Sequence, residues 1–330
     1  TSRVRLARNL ANMPFPHLLS KKENMEEIWK MVEKAAKDLP NLQSVPMSGL
    51  LNMERQILLE KHLISPDHAE AASPFQGIIT NSTGSIVIMV NEEDHLRIQC
   101  LLSGLQPNQA YRYADDIDDS LEKVLDYAFS DQRGYLTSCP TNVGTGMRAS
   151  VMLHLPALTM TNQKGAVFDS IAQLGLTVRG LYGEGTEALG NFYQVSNQIT
   201  LGQTEEDIIN NLWTVTLHVL EQERNTREKI QEELKHHLED RVWRSYGLIT
   251  HAQMITSKEA LTLLSDVRLG ADLNILPQIP RHVLNELIVA IRPAHLQNKG
   301  GREMETGERD LIRAQVIKET ITKNIDRSDN

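Results

Sequence analysis

Residues 137–148 read TSCPTNVGTGMR, a combination that neither core packing nor surface solubility explains. Pro140 and the two glycines of this stretch oppose a regular element, and glycine lets backbone amides approach a bound group closely. Arg148 then leads into an apolar run, 149–158, which predicts a buried strand. A glycine-rich loop ending in an arginine suits a phosphate group, although it lacks the lysine of the G-x-x-x-x-G-K-S/T pattern. A tight turn with a surface arginine is the alternative.

The cysteine of this stretch, Cys139, lies between a serine and a proline and close to Arg148 in the chain. A thiol among hydroxyls and cations can persist as a thiolate, the reactive form. A small buried hydrophobe that happens to be cysteine is the other interpretation.

Length and composition limit the class of protein. The chain has 330 residues, a net charge of -9 and two cysteines, Cys100 and Cys139. This length allows about two domains. Two cysteines give no disulfide framework, which indicates a reducing, cytoplasmic location. The negative charge argues against direct nucleic-acid binding, and no apolar run is long enough to predict a membrane span. Because the chain starts at Thr1, we expect a short segment to precede it.

Two polar clusters stand out beside the opening stretch. Residues 2–9 alternate apolar and cationic side chains, so on a strand Arg3 and Arg5 would share one face. Two neighbouring guanidinium groups repel each other unless an anion lies between them, although a basic edge strand is the alternative. Residues 91–97, NEEDHLR, directly follow the apolar segment 86–90. Consecutive acids beside a core are costly unless they meet cations or take part in chemistry, with a solvated loop as the alternative.

A third polar segment carries a single acid between glycines. Residues 183–188 read GEGTEA and follow a predicted strand that contains Arg179. The glycines beside Glu184 predict a loop that moves and delivers this carboxylate.

The predicted hairpins and helices do not alternate in a regular βαβ order. This order predicts an α+β fold, an antiparallel sheet flanked by helices and followed by an all-helical domain. Thr204 and Asp207 form a capping box at the start of a helix. The charged stretch 221–240 predicts a solvated connection, with domains at 1–226 and 227–330. The patterns further predict a hairpin over 77–90, helices over 21–39, 53–62, 114–129 and 164–174, strands over 176–182 and 191–201, and four or five helices over 246–326.

Four motifs in this order resemble the catalytic domain of the phosphagen (guanidino) kinases. They are RVR at 3–5, NEEDHLR at 91–97, CPTN with GTGMR over 139–148, and RG at 179–180 with the Glu184 loop. The resemblance covers about the first two thirds of the chain. It is strongest to the bacterial protein-arginine kinases of this family. In the metabolic members a small helical domain precedes the catalytic one, whereas here a helical domain follows, which suits an exposed site for arginine on a protein.

The resemblance implies roles for the motif residues. A guanidinium group is a poor nucleophile, so carboxylates must orient it and accept its proton. The implied catalytic residues are Glu93, Glu184 and Cys139, the last as a thiolate, supported by Glu92, Asp94 and Asn142. The implied ligands of the ATP phosphates are Arg3, Arg5, Arg97, Arg148 and Arg179. Magnesium is expected to be held by phosphates and water, with no protein ligands. Met152 departs from the pattern, since metabolic members carry a histidine there toward the base.

The resemblance also implies partners and regulation. It implies arginine-presenting protein substrates, a heat-shock repressor among them, an activator protein, a Clp-type ATPase and protease, a stress response that degrades marked proteins, and a homodimer or higher oligomer. The segment 308–314, ERDLIRA, resembles a phosphoarginine-binding motif, which assigns that allosteric role to Arg309, Asp310, Arg313 and Ala314. A salt-bridged helix surface is the alternative there. For the whole chain, the alternatives are a kinase for a small free guanidino compound and a non-catalytic adaptor.

Overall fold

The computed structural model describes residues 1–18, 22–70, 73–180, 189–276 and 279–325. Within these ranges, strands and helices follow one another without a regular alternation. The strands are β1 (Ser2–Arg8), β2 (Leu42–Pro46), β3 (Gly77–Asn81), β4 (Ile86–Val90), β5 (Leu96–Leu102), β6 (Phe129–Ser130), β7 (Gly134–Tyr135), β8 (Met147–His154), β9 (Leu176–Gly180) and β10 (Phe192–Asn197). The α-helices are α1 (Lys22–Ala36), α2 (Asn52–Glu60), α3 (Pro66–Ala69), α4 (Pro107–Glu122), α5 (Pro156–Met160), α6 (Lys164–Gln173), α7 (Glu205–Glu233), α8 (Lys235–His251), α9 (Ser257–Asp272), α10 (Arg281–Ala290), α11 (Pro293–Gly300) and α12 (Thr306–Ile325).

Eight of the strands form one sheet, in the order β2-β3-β4-β5-β1-β8-β10-β9. The pairs β1–β5, β1–β8, β2–β3, β3–β4 and β4–β5 are all antiparallel. The predicted α+β class, an antiparallel sheet flanked by helices, is therefore confirmed, as is the hairpin of β3 and β4. Strand β1 lies between β5 and β8, so the alternative of a basic edge strand at residues 2–9 is wrong.

The side chains of β1 alternate between two environments, as a period of two requires. Val4 and Leu6 are fully buried, and helix α4 packs on this face of β1 and β5. Burying each of these aliphatic side chains stabilises the fold by about 2 kcal/mol. Because one face of β1 is held against α4, the arginines at the alternating positions project from the other face.

Prolines shift two of the predicted boundaries. Helix α4 begins at Pro107, well before the predicted start at residue 114, because proline suits the first turn of a helix. Strand β8 ends at His154, although the apolar run continues to residue 158, because Pro156 starts helix α5. Apolar composition alone could not separate the strand from the helix that follows it.

The chain divides into two compact units. Unit 1 comprises Thr1–Met152, Asp169–Val178 and Gln194–Leu217, and unit 2 comprises Leu153–Phe168, Arg179–Tyr193 and His218–Asn330. The predicted domain boundary between residues 226 and 227 stays a prediction. In the part of the chain that the structure describes, no helix is long and apolar enough to cross a membrane.

Helix α7 starts as predicted and ends later than predicted. The Thr204 hydroxyl accepts from the Asp207 amide at 3.1 Å and the Asp207 carboxylate accepts from the Thr204 amide at 3.2 Å, which is a reciprocal cap. The helix then continues to Glu233, so this part of 221–240 is helical, and most of its side chains are exposed as the charge pattern predicted. Glu223 is only 2% exposed, because its carboxylate accepts from the amides of Ala157 and Leu158 within unit 2.

Unit 2 contains the five helices α8 to α12, which confirms the predicted helical region. Its core consists of buried aliphatic side chains such as Val242, Leu264, Leu287 and Ile317. Pro280 caps α10 and Pro293 opens α11, while Pro277, also predicted as a break, lies outside the described residues.

Candidate active site

Arginines from three adjacent strands lie on one face of the sheet in unit 1. Arg5 on β1 pairs directly with Arg148 on β8, and Ala7 on β1 pairs with Arg97 on β5. Directly opposed residues of antiparallel strands point to the same side. Arg3 shares this side because it is two positions from Arg5. The sheet register thus gathers four of the five arginines that the sequence assigned to phosphate.

The arginine face is electrostatically unfavourable without an anion. Burial, then the cations Arg97 and Arg148, lower the pKa of Arg3 to about 10. Burial, then Arg3 and the same two cations, lower the pKa of Arg5 well below its ordinary value. The buried Nε atom of Arg5 has no hydrogen-bond partner among the described residues. A buried cationic donor of this kind requires a bound acceptor, and phosphate oxygens fit a guanidinium fork well.

A tight turn holds the acidic segment beside this face. The Asn91 amide donates to the His95 carbonyl at 2.9 Å, and Asn91 adopts a φ of 57°. Asp94 is fully buried, and its Oδ1 atom accepts from the Asn9 amide group and the Ser138 backbone amide, both at 2.7 Å. Asp94 therefore links the turn by hydrogen bonds to Asn9, at the end of β1, and to Ser138, the residue before Cys139.

Glu92 and Glu93 both contact Arg97 but have different surroundings. Arg97 Nη1 lies 2.9 Å from Glu92 Oε2, and Arg97 Nη2 lies 2.5 Å from Glu93 Oε2. The Glu92 side chain is 4% exposed and also accepts from the Ser65 hydroxyl at 2.6 Å, whereas that of Glu93 is 42% exposed. Burial raises the pKa of Glu93, and Arg97 opposes that shift. Glu93 is thus the accessible carboxylate that can take up a proton, and Glu92 orients Arg97.

Cys139 faces the same space as Glu93. It is half-buried, and its Sγ atom lies 3.0 Å from the Thr141 hydroxyl, at the start of the 3-10 turn Pro140–Asn142. A cavity of about 220 Å³ brings together six of the predicted site residues, together with Ala7, Thr141 and Gly146. The six are Arg5, Glu93, Arg97, Cys139, Asn142 and Arg148.

The glycines of the opening stretch lie close to neighbouring backbone atoms. A Cβ atom on Gly146 would lie 2.6 Å from the Ala7 carbonyl oxygen, and one on Gly144 would lie 2.3 Å from that of Thr200. The amides of Gly144 and Thr145 donate to the carbonyls of Tyr135 and Thr200. These glycines allow the loop to pack closely on its own chain. The amides of Gly144 and Thr145 are therefore already engaged within the protein.

Three further positions named from the sequence are Arg179, Glu184 and Met152. Arg179 lies on β9 within the part of that strand assigned to unit 2, and Glu184 lies outside the described residues. Met152 lies on β8, and its amide donates to the Thr1 carbonyl at 2.8 Å.

The predicted phosphoarginine residues lie near the start of helix α12 in unit 2. Arg313 is 2% exposed, forms an ion pair with Asp310, and donates to the carbonyls of Ile291 at 3.0 Å and Ile255 at 2.9 Å. The Arg309 guanidinium group donates to the Met304 carbonyl and the Thr306 hydroxyl, and Ala314 is 2% exposed. Arg313 is therefore buried against backbone carbonyls, and the Asp310 side chain is 13% exposed, so the pair differs from one on an ordinary helix surface.

The residues that support the acids were not predicted from the sequence. Asn9 donates to Asp94 and its Oδ1 accepts from the His95 amide, while Ser65 donates to Glu92. The Ser-Pro pair at residues 65 and 66 signals a helix start, and Ser65 is indeed the N-cap of α3. Its contact with Glu92 depends on a long-range approach that no local pattern indicates.

Two family models match this chain. A model described as ATP:guanido phosphotransferase, C-terminal catalytic domain, matches residues 23–226, and one described as Protein-arginine kinase McsB C-terminal domain matches 235–330. Protein-arginine kinases of Syntrophomonas wolfei subsp. wolfei and Bacillus pumilus are 57% and 48% identical to this chain. These matches cover 97% and 99% of this chain and 90% and 91% of the relatives.

Solved structures share the fold. The duplicated taurocyamine kinase from Schistosoma mansoni, solved with bound transition state analog components, has a TM-score of 0.61 and 29% identity, over 68% of this chain and 32% of that one. A lombricine kinase has a TM-score of 0.59 and 24% identity, over 68% of this chain and 65% of its own.

The chain therefore belongs to the ATP:guanido phosphotransferase family, and it is an enzyme of the phosphotransferase class. The family resemblance stated from the four motifs is confirmed. Within the family the chain groups with the protein-arginine kinases, which it matches over nearly its whole length.

Proposed function

We propose that this enzyme transfers the γ-phosphoryl group of ATP to a guanidino nitrogen of arginine side chains in proteins. The observation that carries the proposal is the cavity in which Arg5, Arg97 and Arg148 lie with Glu93 and Cys139. Cations for a phosphoryl donor and an accessible carboxylate for a guanidinium acceptor thus share one space. Phosphoryl transfer relies mainly on positioning and charge stabilisation, which this arrangement supplies.

The arginine face is the donor side of the proposed site. Arg3, Arg5, Arg97 and Arg148 neutralise the triphosphate and hold the γ-phosphoryl group in line, and Arg179 is assigned to the same role by its motif. Magnesium would neutralise phosphate charge. Because the carboxylates of Glu92 and Glu93 are engaged by Arg97, the residues present fit an ion held mainly by nucleotide phosphates and water.

Glu93 and Cys139 form the acceptor side. Glu93 orients the guanidinium group and accepts its proton as the N–P bond forms and the bond to the β,γ-bridging oxygen breaks. Its raised pKa suits this exchange, because a base works best when its pKa is close to the working pH. Cys139, as a thiolate, adds negative charge beside the acceptor. Asp94 and Asn142 support this side, and the motif assigns a second carboxylate to Glu184.

A protein acceptor is favoured over a free guanidino compound. Relatives similar over nearly the full length are named protein-arginine kinases, and their similarity includes the C-terminal region matched at 235–330. Presence of Glu93, Glu184, Cys139 and all the motif arginines argues against a non-catalytic adaptor.

Incubation with ATP and magnesium, plus either denatured protein or free arginine, tests the proposal. We expect phosphate on the protein, in a form lost in acid because the product is a phosphoramidate. Comparing the loss of label in acid with its loss in alkali, on matched samples, distinguishes a phosphoramidate from a serine phosphate ester. Label that survives acid and leaves in alkali would contradict guanidino transfer, and label on free arginine alone would favour the small-molecule alternative.

Regulation by product is proposed at helix α12. A phosphoarginine offers an anionic phosphate to Arg309 and Arg313 and a guanidino group to Asp310. Ala314, next to Arg313 on the same helix, belongs to the same proposed site. Since Arg313 is buried against carbonyls, binding there requires Arg313 to exchange partners.

The wider role rests on the family resemblance. We propose a cytoplasmic enzyme of the stress response that marks proteins for a Clp-type ATPase and protease. A heat-shock repressor would be one substrate, a separate activator protein would stimulate transfer, and the helical region would form a homodimer or higher oligomer.

A further inference from the structure

A second cavity adjoins the proposed active site in unit 1. It measures about 370 Å³ and shares two lining residues with the first, Glu93 and Arg97. The other lining residues come from the N-terminal end of α3, from the segment before β3 and from the acidic turn: Ser65, Asp67, His68, Gln76 and Glu92. We call this cavity the flank pocket.

His68 gives the flank pocket a buried acceptor. Its side chain is fully buried, and Nε2 lies 2.9 Å from the Gly77 carbonyl oxygen. Because a carbonyl can only accept, Nε2 must carry the proton, and Nδ1 keeps a free lone pair. Within the described ranges Nδ1 has no hydrogen-bond partner. Burial lowers the pKa of His68, which favours the neutral ring. A buried acceptor without a donor points to a ligand that brings one.

The carboxylates around His68 favour a cationic ligand. Asp67 is exposed at the pocket, with no ion-pair partner among the described residues. The one cation of the lining, Arg97, already contacts Glu92 and Glu93. Among the described residues, the pocket lining therefore includes an exposed carboxylate without an ion pair, that of Asp67, and a residue with a buried unpartnered ring nitrogen, His68, and its acids outnumber its cation. A lysine or arginine side chain matches both properties.

We propose that the flank pocket binds a lysine or arginine side chain two positions from the target arginine in the substrate protein. This inference rests on the proposed function. In an extended peptide, side chains two positions apart point to the same side and are separated by about 6.6 Å. Glu93 and Arg97 line both cavities. When the target arginine of a peptide reaches Glu93 in the active-site cavity, the side chain two positions away can therefore enter the flank pocket. The enzyme would then prefer arginines in basic surroundings.

Two peptides test the assignment, and each contains one target arginine. One peptide has lysine two residues before and two residues after this arginine, and the other has norleucine at the same two positions. Norleucine keeps the aliphatic stem and removes the charge. We expect the wild type to show a KM about fivefold lower for the lysine peptide at similar kcat, because an ion pair formed equally before and during transfer changes KM. The preference should shrink as salt is raised.

Variants assign the preference to the pocket. Asp67→Asn, an exposed change of one atom, should reduce the KM ratio to below about twofold, and His68→Leu should reduce it as well. Glu70→Gln is the matched control, since Glu70 is the exposed C-cap of the same helix and does not line the pocket. It should keep the wild-type ratio.

The outcomes separate the two proposals. Equal KM for both peptides in the wild type, or an unchanged ratio in Asp67→Asn, would overturn the flank pocket alone. Transfer to neither peptide would overturn the proposed function and this inference with it.

Discussion

Arg5 and Arg148 are direct cross-strand partners, with their guanidinium groups on the same face of the sheet. Like charges directly opposed across antiparallel strands destabilise a sheet, and burial adds to this effect. The strands nevertheless hold this register, because Val4 and Leu6 on the other face of β1 are buried. A conflict of this kind between local stability and the fold is expected at functional sites.

Arg5→Met should therefore stabilise the free enzyme while it weakens nucleotide binding. We expect an increase of about 1 kcal/mol in the free energy of unfolding, because the variant removes a cation from a cluster of cations. Affinity for ATP should fall by about two orders of magnitude, since a charge-assisted contact to phosphate is lost. Thermal unfolding and calorimetry give the two quantities.

Arg8→Met is the matched control on the same strand. Arg8 is 2% exposed, points to the opposite face and pairs with Asp118 at 2.6 Å. Its loss leaves a buried carboxylate unpaired and should destabilise the fold by about 3 kcal/mol. Equal effects of the two substitutions on stability would contradict the interpretation of the arginine face.

Glu93→Gln should slow transfer strongly and preserve ATP affinity, because Glu93 acts on the acceptor. Loss of the general base alone costs about two to four orders of magnitude in kcat. Glu184→Gln should behave in the same way. Calorimetry with ATP and single-turnover transfer measure the two effects, and loss of nucleotide binding in either variant would move that glutamate to the donor side.

The pH dependence follows from the raised pKa of Glu93. Transfer requires the ionised form of Glu93. As the pH is lowered, kcat/KM should therefore begin to fall at a higher pH than it would if Glu93 had the pKa of an ordinary glutamate. The stability effect has the opposite sign: a carboxyl with a raised pKa in the folded state favours folding at low pH and loses that contribution as pH rises through the folded pKa. Glu93→Gln should therefore be more stable than the wild type above this pKa, with the difference vanishing below the pKa of an ordinary glutamate. Melting temperatures across that range test the sign.

Local signals in the sequence were enough for the parts of the site that one strand or one turn builds. Arg3 and Arg5 could be placed on one face from alternation alone, and the start of α7 from Thr204 and Asp207. Pairing Arg5 with Arg148 required the sheet register, which depends on contacts between distant segments. The packing of Gly144 could not be predicted either, because its partners are distant in sequence. Its amide donates to the Tyr135 carbonyl, and it lies close to the Thr200 carbonyl.

Charge was the least reliable guide to burial. The sequence around Glu223 suggested a solvated connection, yet its carboxylate is buried as the acceptor for two backbone amides and lies 2.7 Å from Arg227. Arg313 likewise looked like a surface residue and is buried. Charged side chains enter a core when partners satisfy them, and those partners are not adjacent in sequence.

Cys139→Ser should slow transfer strongly while the melting temperature stays close to that of the wild type. Cys139 is half-buried and its sulfur contacts a hydroxyl, so little packing is lost. Cys100→Ser provides the contrast, because Cys100 is 1% exposed in strand β5 and a buried hydroxyl there would lower the melting temperature. Full activity of Cys139→Ser with a lowered melting temperature would assign this cysteine to the core.

The last prediction separates the two interpretations of Asp310 and Arg313. If the pair binds phosphoarginine, Asp310→Ala and Arg313→Ala should both weaken phosphoarginine binding, measured by calorimetry, and remove its effect on activity or assembly. Arg313→Ala should also lower the melting temperature, because it leaves the carbonyls of Ile255 and Ile291 and the Asp310 carboxylate without their donor. Gln315→Ala, at an exposed position of the same helix, is the control for both quantities and should change neither. Equal phosphoarginine affinity in the wild type and both variants, together with the lowered melting temperature of Arg313→Ala, would assign the pair to the stability of unit 2 alone.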